Sequence, residues 1–429
     1  MNNLAQNVLA EEEDLNQFTK NVVPPTARAE LRKKKFFLPW HKPRKQWLRT
    51  NQWGASISEL AADLKLAEAQ RPLSYLSLPG QDLLDIRDLS PVCENIGIKI
   101  KFLGLNYIDP KDKHAEQMQV EQDLSRNEVL GMNNVDAGSL IINEKFEEVS
   151  RETSVTHEKI IKSHQTFDVV NIDLCNSFGN ESPADTTENL YAALGNLFTK
   201  QAENRTEDWL FFLTTRNNTH MVHKDVWMRF VSIINGKSAR DPHFLKSLIA
   251  KDVISEAAVA DNKIILEQMT RKCHVGVFGL AVGFWITKLL LDQRPAWRVD
   301  MLPAYGYHVY LTRDDRFCDM ISLGFRVSKV RLKPEDRHDL ARVFVGDYVE
   351  EAVCQNQSED RILDRNFKQI DVDVFLYENP AAYEDALNKS KDLLRAARYD
   401  IEYHLNKLEE KMDSLEKYLA ETGLVKGVG

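Results

Sequence analysis

Residues 71–106 constrain the fold more than any other stretch of the chain. Arg71-Pro-Leu-Ser-Tyr-Leu-Ser-Leu-Pro-Gly80 reads as a strand stopped by a tight Pro79-Gly80 turn, residues 81–95 as a helix, and Ile98-Lys-Ile-Lys-Phe-Leu-Gly-Leu-Asn106 as a second strand. Such a strand-turn-helix-strand unit is the nucleotide-binding half of a doubly wound α/β sheet, and these sheets take ligands at the carboxyl ends of their strands. A cofactor site is therefore expected around Leu78, Pro79, Gly80, Asp82 and Asn106. The turn has one glycine where a dinucleotide fingerprint has three, so it points to a class of site and not to a reaction.

The rest of the chain keeps the same rhythm. Further strands are expected at 139–143, 167–173 and 209–214, and helices at 56–66, 187–199 and along 242–291. Residues 307–311 and 317–327 flank the polar run Arg313-Asp-Asp-Arg316 and predict an antiparallel pair. The expected fold class is α/β: a three-layer Rossmann-like sheet with a closing antiparallel hairpin, plus a C-terminal helical or coiled-coil extension. The domain plan is a disordered tail at 1–27, a basic-aromatic arm at 28–55, the sheet domain at 56–330, a connecting region at 331–380 and a helix or coiled coil at 381–429.

At 429 residues, 43% apolar and 28% charged, the chain is an ordinary globular protein with more sequence than one core normally serves. The longest apolar run, Val275 to Leu291, is interrupted by Lys288, and the N-terminus lacks the basic-then-apolar order of a signal peptide. No membrane partner is expected, and the expected location is cytoplasmic. Five cysteines without a CxxC pair argue against a disulfide framework and a structural zinc site. His220 and His223 could share a helix face but have no third ligand in view, so no metal is expected.

A net charge of −9 conceals a local reversal. Between Arg28 and Arg49 stand nine Lys/Arg against one acid, Glu30, interleaved with Phe36, Phe37, Trp40 and Trp47, and with Trp53 just beyond. Cations among aromatic rings can meet phosphates while the rings stack on bases, which makes Lys33, Lys34, Lys35, Lys42, Arg44 and Lys45 candidate nucleic-acid contacts. The same pattern also suits an N-terminal helix packed on the core with its cations solvated. Arg216, at the end of the fifth strand, joins the candidates because guanidinium binds phosphate bidentately. Asp173, ending the fourth strand in Asn171-Ile-Asp-Leu-Cys-Asn-Ser-Phe-Gly179, is the candidate catalytic residue; capping the next helix is its alternative role. At the far end Ile401, Leu405, Leu408, Met412, Leu415 and Leu419 form a heptad seam, to be covered by a protein partner, a second copy or the chain's own domain.

Five β/α units followed by an antiparallel pair resemble the class I S-adenosylmethionine-dependent methyltransferases. Pro39-Trp-His-Lys-Pro-Arg-Lys-Gln-Trp47, the Pro79-Gly80 turn, Asp173, Phe178-Gly179 and the strand at 209–214 also resemble the bacterial three-Cys-motif partner family over about residues 36–330. That resemblance implies a methyltransferase-like Rossmann fold, S-adenosylmethionine as cofactor, and a setting of bacterial defence or conflict with mobile elements. The expected function is a methyltransferase-like protein acting on or sensing nucleic acid. The alternative is a catalytically inactive scaffold that recruits partners through its termini.

Overall fold

The computed structural model describes residues 33–163, 166–309, 317–334 and 346–425. The tail at 1–27 and the polar run at 313–316 lie outside the described residues.

Past a short turn at Pro39–His41 the chain enters helix α1 (Pro43–Leu48), which continues through one π-helical turn (Arg49–Gly54) into α2 (Ala55–Asp63). Strand β1 (Leu73–Ser77), α3 (Leu84–Asn95), β2 (Ile100–Leu105), α4 (Ala115–Leu130) and β3 (Leu140–Ile142) follow, then β4 (Val169–Ser177), α5 (Leu190–Asn204) and β5 (Trp209–Arg216). These five strands are mutually parallel in the order β3-β2-β1-β4-β5, with Tyr75 opposite both Phe102 and Val169. Their β-branched and aromatic residues are buried almost continuously, as befits strands covered on both faces.

Residues 242–291 depart from the expected long helix. After α6 (Lys224–Arg240) and α7 (Phe244–Ala250), Asp252 adopts a left-handed φ of 56° and the chain turns away. A small hairpin follows, β6 (Val259–Ala260) and β7 (Lys263–Ile264), joined by Asp261 and Asn262 at φ 49° and 56°, the handedness that a two-residue hairpin turn requires. Only then does α8 (Arg271–Leu291) begin, with the Thr270 side chain accepting from the Cys273 N–H. By length and composition α8 could cross a bilayer, although Lys288 interrupts its apolar run, but 67% of its most apolar window is buried in the fold. It packs against α6 and the sheet, and the glycines at 279 and 283 let a later helix approach closely.

The second half of the sheet is antiparallel to the first. β8 (Trp297–Met301) and β9 (Tyr305–Tyr307) lie end to end along the outer edge of β10 (Met320–Lys329), whose other edge pairs with β5. The expected antiparallel pair is thus present, with Met320 opposite Tyr307. Within the expected connecting region, the described residues form α9 (Glu351–Phe367), β11 (Ile370–Asp371) and α10 (Val372–Glu378), packed on α8, β9 and one another. Two helices end the chain, α11 (Pro380–Ala396) and α12 (Ile401–Glu421).

The fold is therefore α/β, with a mostly parallel central sheet flanked by helices. One apolar cluster joins α5, α6 and α8 to the sheet, and a second joins α2 and α3 to it. The heptad seam is covered from within the chain: Leu415, Tyr418 and Leu419 pack with Val374 and Tyr377 of α10, and Leu408 is also buried. The uncovered apolar stripe that pairing with another chain would need is absent from the described residues.

Candidate functional site

Where β1, β4 and β5 end, a cavity of about 660 Å³ opens. Its first wall is the β1–α3 loop. Leu78, Pro79, Gly80 and Asp82 all line it, and Gly80 adopts φ +63°, a conformation that glycine takes without strain. A Cβ built on Gly80 meets nothing within 4 Å, so the turn borders open space. Gly104 holds the loop from behind, because a Cβ there would fall 2.8 Å from Pro79 Cγ.

The second wall is the end of β4. The pairing of β4 with β5 slips between Asp173 and Ser177, and this irregularity delivers Asp173, Leu174 and Cys175 to the cavity. Arg216 at the end of β5 also lines it, donating from Nε to the Cys175 carbonyl at 2.7 Å.

The third wall is the α1–α2 helix. Lys45 reaches across to Asp173, Nζ to Oδ1 2.7 Å, with its ammonium 4.7 Å from the centre of the Trp53 ring and 3.5 Å from the Tyr307 hydroxyl. Burial pulls the Lys45 pKa down while the carboxylate opposes that shift. One turn on, Arg49 donates to the Trp40 carbonyl at 3.2 Å, while its buried Nε and the Trp53 Nε1 have no hydrogen-bond partner among the described residues. Both side chains leave the π-helical turn, a feature frequently found at functional sites. Beneath the loop, Asn171 donates to the Tyr75 hydroxyl (2.8 Å) and Tyr75 donates to Asp85 (3.2 Å). Burial raises the Asp85 pKa, which makes this carboxyl a candidate proton carrier.

The remaining expectations divide. Lys33, Lys34 and Lys35 line the mouth of the cavity, but Lys34 is buried in an ion pair with Asp82, whose other oxygen accepts from the Tyr399 hydroxyl at 2.6 Å. Arg44 is buried against Asp373 at 2.8 Å on another face of α1, and Lys45 is committed to Asp173. These three cations are therefore not phosphate contacts on a solvated arm, because internal carboxylates hold them. Asp82 is likewise spent on Lys34 and Tyr399. Lys33 and Lys35 remain exposed, with Lys35 3.5 Å from Asp400. Lys42 sits by a second groove with Arg44, its pKa lowered by burial, and next by Arg44, to about 8. Asn106 is not a cavity residue: its amide donates to Gln122 of α4, so the end of β2 offers the cavity no ribose ligand.

Most of the arm's aromatics pack inward. Phe37 meets His404 at 5.0 Å, and Trp47 sits 5.2 Å from both Tyr305 and Phe375; Phe36 stays exposed. Arg49, Trp53, Tyr307 and Tyr399 reach the cavity without having been singled out. Only the basic-aromatic pattern of the arm hinted at the first two.

The model of the PP_RS20740-like family matches residues 34–409 of this chain. The chain belongs to that family. The span shared with the PP_RS20740-like family includes the β1–α3 loop, the end of β4, the π-helical turn and Tyr399, so it takes in all three cavity walls. No curated protein matches the chain.

Proposed function

We propose that this PP_RS20740-like protein is a class I methyltransferase-like protein that binds S-adenosylmethionine in the cavity and acts on or senses nucleic acid. The observation that carries this reading is the cavity's place: it lies at the carboxyl edge of five parallel strands, against the first strand-turn-helix loop, in a sheet completed by antiparallel strands. A three-layer Rossmann-like layout of the methyltransferase type is part of the same proposal. The lining suits an adenosyl ligand. The left-handed Gly80 and the open space beside it allow close backbone approach, the volume falls in the range of small-molecule pockets, and Trp53 and Trp40 offer rings.

When bound, the cofactor supplies an electrophilic methyl group. The chain's own part is to position the acceptor: Asp173, partly exposed beside Lys45, can accept a hydrogen bond from an amine or hydroxyl, and the ammonium keeps that carboxylate ionised and oriented. The buried Asp85 carboxyl, hydrogen-bonded to Tyr75, can hold a proton near neutrality. Lys33, Lys35 and Arg216 give the mouth a positive rim for a polyanion. The scaffold alternative is less well supported, since the C-terminal seam it would recruit through is covered by α10.

Calorimetry with S-adenosylmethionine and S-adenosylhomocysteine tests the proposal. Saturable binding is expected for the parent and its loss for Gly80→Val, whose branched side chain would fill the open side of the turn. A folded parent that gives no heat with either ligand would refute it.

A further inference from the structure

Tyr307 and Val309 line the cavity, whereas His308 between them is buried against a different set of residues. Its Nε2 lies 2.9 Å from Asp371 Oδ2 and 3.6 Å from Cys318 Sγ, and that sulfur is 3.3 Å from the same carboxylate oxygen. A point equidistant from three atoms so spaced lies about 2 Å from each, close to the bond lengths zinc makes to nitrogen and oxygen and a little short of its bond to sulfur. We propose that His308, Cys318 and Asp371 bind a divalent cation of the zinc class, with solvent completing the coordination.

Three features beyond the spacing support this assignment. The donors are held from behind: Asp371 Oδ1 accepts from the backbone N–H of Asp373 (2.9 Å) and Val374 (3.2 Å), and His308 Nδ1 lies 3.2 Å from the Tyr418 hydroxyl. Outer hydrogen bonds of this kind orient metal ligands. Room is made for the sulfur, since a Cβ on Gly306 would fall 2.8 Å from Cys318 Sγ. Charge also favours a cation: Asp371 and Asp373 stand together, with Arg44 the guanidinium paired to Asp373. A mixed sulfur, nitrogen and oxygen donor set selects zinc over magnesium or calcium, which take oxygen ligands.

The ion would join the end of β9, the start of β10 and the β11–α10 junction, with α12 reached through Tyr418. It would thus brace the strand whose Tyr307 faces Lys45. The site was invisible to motif reading because its ligands are separated by ten and fifty-three residues. It does not depend on the methyltransferase proposal.

The test is cobalt titration of the full chain after dialysis against a chelator. One cobalt per chain is expected, with the intense visible bands of tetrahedral cobalt and a sulfur-to-cobalt charge-transfer band that zinc abolishes. Cys318→Ser should remove the charge-transfer band, His308→Gln and Asp371→Asn should weaken binding by more than about tenfold, and Cys175→Ser should change nothing. Circular dichroism checks folding; if Cys318→Ser does not fold, Asp371→Asn decides, because asparagine still caps α10. No cobalt spectrum in the folded parent, or binding at parental affinity in folded Asp371→Asn, would overturn the proposal.

Discussion

Lowering the pH from 7 to 5 should cost this fold about 4 kcal/mol through two histidines. His41 precedes α1 and stacks edge-on against Tyr399 at 4.6 Å, and His404 lies on α12 against Phe37. Burial, first among the causes, lowers the His41 pKa to about 3 and that of His404 to about 4, from 6.5. The Leu38 N–H donates to His41 Nδ1 at 3.3 Å, which leaves that nitrogen unprotonated; His41 Nε2 and both His404 nitrogens have no hydrogen-bond partner among the described residues. A folded-state pKa below the unfolded one means that the unfolded chain takes up protons first. The stability is present above pH 6.5 and is lost as pH falls toward 4 and 3. At pH 5 the unfolded histidines sit about 1.5 units below their pKa, worth about 2 kcal/mol each. Urea unfolding at pH 7 and pH 5 measures this directly. The double variant His41→Phe/His404→Phe should lose about 4 kcal/mol less than the parent between the two pH values. Equal losses in parent and variant would refute the reasoning. Because His41 packs on Tyr399, which holds Asp82 beside the cavity, ligand affinity should fall over the same pH range.

The other predictions concern the seam, the arm and the loop. Leu408→Asp with Leu415→Asp removes two buried side chains and adds charge, so the melting temperature should drop, by a total of at least about 3 kcal/mol in stability, with no change in sedimenting mass; a change in mass at constant melting temperature would show that the seam joins chains. Lys33→Gln with Lys35→Gln should reduce the slope of log affinity for single-stranded DNA against log salt by about two. Lys34→Gln should instead destabilise the fold, and an unchanged slope in the first variant would remove the arm from the nucleic-acid proposal. Gly104→Ala should cost about 1–3 kcal/mol and weaken adenosyl-ligand binding, because its Cβ would strike the Pro79 ring; unchanged stability would mean that the loop yields freely.

The strands around Tyr75, Phe102, Ile172 and Phe212 were legible because a parallel strand buried on both faces announces itself as a continuous apolar run. The ligand loop was legible for a local reason too, since Pro79-Gly80 carries its turn chemistry in two adjacent residues. What escaped was non-local. Nothing in a run of lysines tells that Lys34 will find Asp82, or Lys45 Asp173, at separations of 48 and 128 residues, so the arm read as solvated. Asn106 failed because a strand end meets the cavity only if the next helix leaves it uncovered, and Gln122 of α4 covers it. Two misses had local signals. Asp261-Asn262 is hairpin-turn chemistry within the stretch read as one helix, and Trp297-Arg-Val-Asp-Met301 alternates buried and less buried residues as a strand does.

The π-helical turn between α1 and α2 acts as a phase adapter. Each residue added to an α-helix rotates the remainder of the rod by about 100°. α1 must aim Arg44 at Asp373 and Lys45 at Asp173, while α2 must aim Ile57, Leu60 and Ala61 at the sheet. The wide turn takes up the angular difference between these two demands within one continuous rod. Deleting a single residue between Arg49 and Gly54 would leave a regular helix whose two ends could no longer both face their partners, and either the ion pairs behind the cavity or the apolar seam of α2 would be lost.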